Sequence, residues 1–320
     1  MSRMRNSSIQ PVGKATNGFR QVGDLVRSEA PELLISKYRQ RQLERIDLIR
    51  SDPERRGERL GFTSRPFVLC GLPLRRPPKS QLLYERRNGK FTLQLVGHPE
   101  FGLPFGQDRM IPIFLATLAV RQRNTVLRFK SGAEMLEMFG MQRGGKEYRR
   151  LVAGIERIFG TTVYFRTEHT GSDAKLISRA RFHFVSQTHI WSDRNSPRVH
   201  PAGNRENIIA LSHEFFEEVT AHPIPSDLEV IRLLAASPGA LDLYLWITYR
   251  SFTAKGSQTI PLFGPQGLQA QLGCTEYSRP RRFRAMLMQW MAAIAPAWPK
   301  FRRIVQVSDQ FLELRGGDCP

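Results

Sequence analysis

Along the chain the spacing of apolar positions switches between a helical and a strand period several times. Met110 to Gln122 is almost wholly apolar and predicts a core helix, and Thr125 to Lys130 (TVLRFK) predicts a short strand. Ser131 then predicts a cap for a helix with Met135, Leu136 and Phe139 on one face. In FGMQRGGKEYRRLVAGIERIFG, Phe139 to Gly160, that pattern stops at a basic glycine turn. A further helix follows with Tyr148, Leu151, Val152, Ile155, Ile158 and Phe159 facing inward. Thr161–Glu168 and Lys175–Thr188 alternate with a period of two around the turn HTGSDA, placing Ala180, Phe182 and Phe184 on one side and Arg179, Arg181 and His183 on the other. Helix, strand, helix, turn, helix and long hairpin is the order of a winged helix.

The order recurs. Ser237–Phe252 reads as an apolar helix, QTIPL as a strand, GPQGLQAQLG as a second helix ending in glycine, and Arg279–Ala295 as a third, basic helix. FRRIVQV and FLELR read as a hairpin around Ser308-Asp309. Gly140 aligns with Gly273 and Tyr148 with Phe283 once a slightly longer turn is allowed in the second copy. Two copies of one element order rarely arise by chance. The expected fold class is therefore α+β, with two tandem winged-helix domains related as an internal repeat and a basic N-terminal arm.

Four segments follow. Residues 1–80 read as an arm and a proline-rich linker, with a helix near 31–50 that opens at Pro31 and carries a thin stripe of Ile35, Tyr38, Ile46 and Ile49. Residues 81–190 hold the first winged helix, entered through a hairpin at Asn88-Gly89, a dipeptide that favours a type I′ turn. Gly97–Met110 is too rich in glycine and proline for regular structure, and Asp108 is placed to cap the next helix. Residues 191–236 connect the copies and include a short helix, SHEFFEEVT; residues 237–320 hold the second winged helix.

Charge narrows the function. The 320 residues carry 48 Lys+Arg against 29 Asp+Glu, a formal net charge of +19. Such self-repulsion implies a polyanionic partner, because the cations cluster rather than scatter. No acidic residue lies between Tyr277 and Ser308. In the third helix of the first copy, Lys146, Arg149, Arg150 and Arg157 line the face opposite the apolar one, and Arg143 stands in the preceding turn. In the second copy Arg279, Arg281, Arg282 and Arg284 crowd the opening turn. A helix fits the major groove and its first turns reach base edges, while arginine serves bases or phosphates equally well. Arg166, Arg179 and Arg181 on the first hairpin, and Arg302 and Arg303 at the start of the second, admit two readings: backbone contacts from the wings, or protection of strand edges.

Other chemistries find little support. Cys70, Cys274 and Cys319 lie far apart without zinc spacing, which suits a reducing cytoplasm. The N-terminus lacks a signal-peptide core, and the longest apolar run is too short for a bilayer, so no membrane role is expected. There is no GxxxxGK[ST] loop, HEFFEEVTAH is not HExxH, and no serine or cysteine has a nucleophile's setting. The expectation is a non-enzymatic protein with no metal and no cofactor. An RNA-binding or scaffold role would call for stacking aromatics on an exposed sheet, whereas Phe182 and Phe184 alternate as core residues.

HPEFGLPFGQDR, LEMFGMQRGGKEYRRL and IERIFGTTVYF together resemble plasmid-encoded replication initiators of the RepA type, from about Gly97 through the second winged helix. That resemblance implies binding to repeated double-stranded sites (iterons) in a plasmid origin, help in opening it, and recruitment of host initiator and replicative helicase. It also implies self-association as a dimer connected with copy control, and a bacterial cytoplasmic location near the plasmid. It makes Arg279 to Arg284 candidates for base contacts and Lys146 to Arg150 for a second contact. The competing reading is a winged-helix transcriptional regulator with no origin role, which would need only one such module per subunit.

Overall fold

The computed structural model describes Glu44, Ile46 and residues 59–315, except 171–174, 191, 194–195, 200–206, 255, 275–276, 278 and 299. The helix expected near 31–50, the rest of the arm and Cys319 lie outside the described residues, apart from Glu44 and Ile46, which are helical. All the elements below belong to one unit, Gln42–Pro320.

Residues 60–72 depart from the linker expectation. Strand β1 (Leu60–Thr63) and helix α1 (Arg65–Leu69) form there, and Val68, Leu69, Cys70 and Leu72 are buried. The proline content misled because Pro66 sits in the first turn of α1, where a missing N–H costs nothing.

Strands β2 (Leu83–Asn88) and β3 (Phe91–Val96) form the expected hairpin. Asn88 pairs with Phe91, so the loop residues are Gly89 and Lys90. Gly89 has φ +55° and Lys90 has no positive φ, so this is not the type I′ turn, which needs both. A short 3-10 turn, Gly106–Arg109, leads into α2 (Met110–Gln122), buried from Met110 to Ala119. Asp108 does not cap α2; its Oδ2 accepts the backbone N–H of Phe105 at 2.9 Å. Strand β4 (Val126–Phe129), α3 (Gly132–Met138) and α4 (Gly145–Phe159) follow in the expected order. Ser131 stands at the N-cap of α3 without a side-chain bond; Glu134 instead accepts the Lys130 N–H at 2.8 Å. On α4, Tyr148, Leu151, Ile155 and Ile158 are buried as the periodicity requires, but Phe159 is 41% exposed.

The strand pairing of the first copy differs from the expected wing. Strands β5 (Thr162–Thr170) and β6 (Lys175–His183) extend the entry hairpin into an antiparallel sheet of order β2-β3-β5-β6. After Phe184 the chain continues as β7 (Val185–His189); β8 (Ser192–Asp193) and β9 (Ser196–Val199) form a small ladder; and β10 (Asn207–Leu211) enters between β4 and β7. The segment expected only to connect the copies thus supplies the central strand of a second, three-stranded sheet, β4-β10-β7. Helix α5 (His213–Ala221) is capped by Ser212 Oγ, which accepts the Phe215 N–H at 3.1 Å. β11 (Ile224–Asp227) pairs with β1, and α6 (Leu228–Leu234) follows.

The segment expected to form the second copy comprises α7 (Pro238–Thr253), β12 (Gln258–Pro261), α8 (Leu268–Gln271), α9 (Pro280–Ile294), α10 (Phe301–Ile304), β13 (Val305–Val307) and β14 (Phe311–Leu314). Its sheet has the order β12-β14-β13, all antiparallel. Phe301–Ile304 is a helical turn rather than the opening of a strand. Phe301 and Ile304 are buried there, a spacing of three that suits a helix and not a strand. Helices α7 and α9 meet closely: the Trp290 ring lies against Gly239 and leaves no room for a side chain there. The whole is a mixed α+β unit.

Candidate nucleic-acid interface

The exposed cations of α4 begin after Gly144, whose extended backbone forms the N-cap. Neither Gly144 nor Gly145 has a positive φ, and the space beside Gly145 is open. The turn therefore brings bare backbone to the surface beside Lys146 and Arg149, both exposed. Arg143, also exposed, pairs with Glu137 of α3. Arg150 is exposed and donates to Gln107 Oε1.

Arg157 does not belong with them. Its Nε and Nη2 donate to the two carboxylate oxygens of Asp108 at 2.7 and 2.9 Å, and the side chains are 14% and 4% exposed. Its guanidinium carbon also lies 4.8 Å from the Phe105 ring centre. An arginine so engaged holds α4 to the turn before α2 and cannot reach a duplex.

The rest of the QDR triplet joins the copies. Gln107 Nε2 donates to Ala235 O at 3.0 Å. Arg109 pairs with Asp242 of α7: Nη2 donates to Oδ2 at 3.1 Å and to Leu72 O at 2.8 Å, and Nε lies 2.8 Å from Oδ1 as an ion-pair contact. Arg86 of β2 donates to Gly71 O at 3.2 Å and to Gln271 O in α8. Burial pushes the Asp242 carboxyl above its ordinary range, and the charges of Arg109 and Arg86 oppose that push. Gln107 and Arg109 of the HPEFGLPFGQDR stretch thus tie the turn before α2 to the end of α6 and to α7.

At the start of α9, Arg279, Arg281 and Arg282 are exposed, and the first turn contains no acidic residue. Cations at a helix N-terminus oppose the macrodipole, which favours an anion there. Arg282 lies 5.8 Å over the Tyr277 ring, so its direction is partly fixed. Arg284 is committed elsewhere, donating to Asp309 Oδ1 at 2.8 Å and lying 5.9 Å over Phe263; it ties α9 to the β13–β14 turn. Arg302 and Arg303 are exposed on α10.

The hairpin arginines share one face of the four-stranded sheet. Arg166 is directly opposite Arg179, and Tyr164 directly opposite Arg181. Arg166 pairs with Glu168 at 3.2 Å. Arg179 and Arg181 are exposed, and Tyr164 is 39% exposed. Sequence reasoning missed Tyr164, Asp108, Arg109 and Asp242 as site-shaping residues. A single acid inside the apolar run ALDLYLW was the available signal for a buried ion pair.

Among the described residues no three His, Cys, Asp or Glu side chains group to hold a metal ion, and no helix is long and apolar enough to cross a membrane. Cys70 and Cys274 are buried.

No curated protein matches the chain by sequence. The chain is similar in fold to a crystal structure of domains 2 and 3 of RctB, with a TM-score of 0.51 and 15% identity over 76% of this chain and 94% of that one. A second RctB structure, of domains 2-3 (residues 155–483), gives a TM-score of 0.49 and 15% identity over 77% and 95%. Residues 104–260, which contain the QDR joint, the whole of α4 and the first helix and strand of the second copy, match the family model described as plasmid encoded RepA protein. Over that segment, just under half of its length, the chain is similar to the plasmid-encoded RepA proteins.

Proposed function

We propose that the protein is a non-enzymatic plasmid replication initiator that binds repeated double-stranded sites in its origin through α4 and α9. The observation that carries this reading is the opening turn of α9. Three exposed arginines stand at the positive end of a helix whose first turn contains no acidic residue, an arrangement that a phosphate or a base edge would relieve. The similarity of residues 104–260 to the plasmid-encoded RepA proteins supports the replication context.

In this reading both copies are winged helices. The second keeps the strand order of that fold, and the first has its hairpin drawn into the larger sheet while β10 takes the place beside β4. Lys146 and Arg149 make the second contact, and Arg281 and Arg282 grip the backbone of one part of each repeat. Arg279, Arg302 and Arg303 approach the flanking backbone. The buried joint between Arg109 and Asp242 holds the two readers at a fixed separation, which a repeated site demands. Opening of the origin, capture of host initiator and helicase, dimerisation and a cytoplasmic location belong to the same reading, with the segment 31–50 as the protein-binding element.

Footprinting on DNA just upstream of the gene tests it. Protected blocks repeating at helical-turn spacing are expected, together with replication of an origin-only plasmid when the protein is supplied in trans. Promoter protection without replication in trans would instead identify a transcriptional regulator.

A further inference from the structure

The sheet β2-β3-β5-β6 has one face in the core and one face open. Rows of directly paired residues cross the open face: Arg87, Thr92, Arg166 and Arg179 in one, with Thr92 buried beneath its neighbours, and Glu85, Gln94, Tyr164 and Arg181 in the next. The first row has three arginines and no acid. Like charges directly opposite one another on a sheet cost stability, and Arg166 and Arg179 are such a pair. Glu168 pairs with Arg166, and Glu85 accepts from Gln94 at 2.6 Å; among the described residues no carboxylate pairs with Arg179 or Arg181. A groove of ≈ 350 Å³ runs between these side chains, and the ring of Tyr164 stands in it.

This face cannot enter a duplex. Four strands span roughly 14 Å at their ~4.8 Å spacing, before side chains are added. The major groove is about 12 Å wide and admits a helix or a two-stranded ribbon. What the face offers is a partly exposed aromatic ring for stacking, with guanidiniums spaced two residues apart along β6, roughly 7 Å, for a backbone passing over it.

We infer that the open face of the β2-β3-β5-β6 sheet binds a single-stranded polynucleotide, with a base stacked on Tyr164 and the phosphates held by Arg166, Arg179 and Arg181. The inference goes beyond duplex recognition by α4 and α9 and does not depend on it. It removes the three hairpin arginines from the duplex interface and gives them a separate substrate, the strand that is freed when a duplex opens.

The test is fluorescence anisotropy of the full chain with labelled oligothymidylate, oligouridylate and a duplex, in wild type, Tyr164→Ala, Tyr164→Phe and Arg179→Ala/Arg181→Ala. These side chains are on the surface, so the variants should fold, and circular dichroism checks it. Tyr164→Ala is expected to weaken oligothymidylate binding about tenfold, Tyr164→Phe to restore it, and the double arginine variant to weaken it further, with duplex affinity unchanged. Tighter binding of oligothymidylate than oligouridylate identifies the natural strand as DNA, and the reverse identifies it as RNA. Unchanged oligothymidylate affinity in Tyr164→Ala, or an equal loss of duplex affinity in the arginine variant, overturns the inference. A duplex result alone, positive or negative for Arg281 and Arg282, bears only on the proposed function.

Discussion

Arg109 and Asp242 form a two-point ion pair, at 2.8 and 3.1 Å, with both side chains buried. The residue before Arg109, Asp108, holds Arg157 of α4 in the same two-point manner. One turn of chain therefore fixes the basic helix of the first copy on one side and the first helix of the second copy on the other. Desolvation makes such pairs poor sources of net stability, but breaking one strands a buried charge. The expected role is specificity of arrangement.

Asp242→Asn leaves Arg109 without its countercharge and is expected to destabilise the protein by about 3–5 kcal/mol in urea denaturation. Replacing both partners, Arg109→Met with Asp242→Leu, is expected to recover most of that loss. The double variant is also expected to tolerate altered spacing between the two halves of a duplex site, read from affinities for a spacer series.

Arg157 and Arg281 are both arginines of the third helix of their copy, and opposite behaviour is expected of them. Arg157→Ala exposes the loss of a buried pair and costs about 3 kcal/mol of stability. Arg281→Ala is expected to leave stability within about 0.5 kcal/mol and to lower the salt slope of duplex binding by about 1. Denaturation and a salt series on the same two variants check both.

The sequence made the elements around both basic helices legible because amphipathic periodicity survives translation into packing. Met110–Gln122 forms within its expected bounds, and Pro280–Ile294 lies one residue inside them at each end. The pairing of the strands was not legible. Alternation tells which face of Thr162–Thr170 is buried but not whether Phe91–Val96 or a later strand lies beside it. Sorting the arginines failed for a related reason. Arg157 follows Arg150 by two helical turns, yet it reaches back to an acid 49 residues earlier, a contact no local pattern encodes.

Gly239→Ala is expected to destabilise the second copy by about 1–3 kcal/mol, since the new methyl group would meet the Trp290 ring. Trp290→Leu in the same chain should relieve part of that clash, which a thermal melt of the single and double variants will show. Equal stability of Gly239→Ala and wild type would contradict the close approach of α7 and α9.

Burial pushes the Cys70 thiol up to about 11, above its ordinary 9.0. The folded thiol is the more reluctant to ionise, so its contribution to stability is present below about pH 9 and is lost as pH rises through about 11. At pH 8, Cys70 in the native protein is expected to be silent to a thiol reagent and to react on unfolding in guanidinium. In a Cys274→Ser/Cys319→Ser background the reagent counts this thiol alone.

The account rests on two basic helices that meet duplex DNA through cations, and a salt series measures that most directly. Full-length protein is titrated onto the footprinted duplex from low to high salt, alongside Lys146→Ala/Arg149→Ala and Arg281→Ala/Arg282→Ala. The account predicts a steep fall of affinity with salt, and a slope reduced by about 2 in each variant if both cations contact phosphate. An affinity indifferent to salt, or variants indistinguishable from wild type in both affinity and slope, would contradict it.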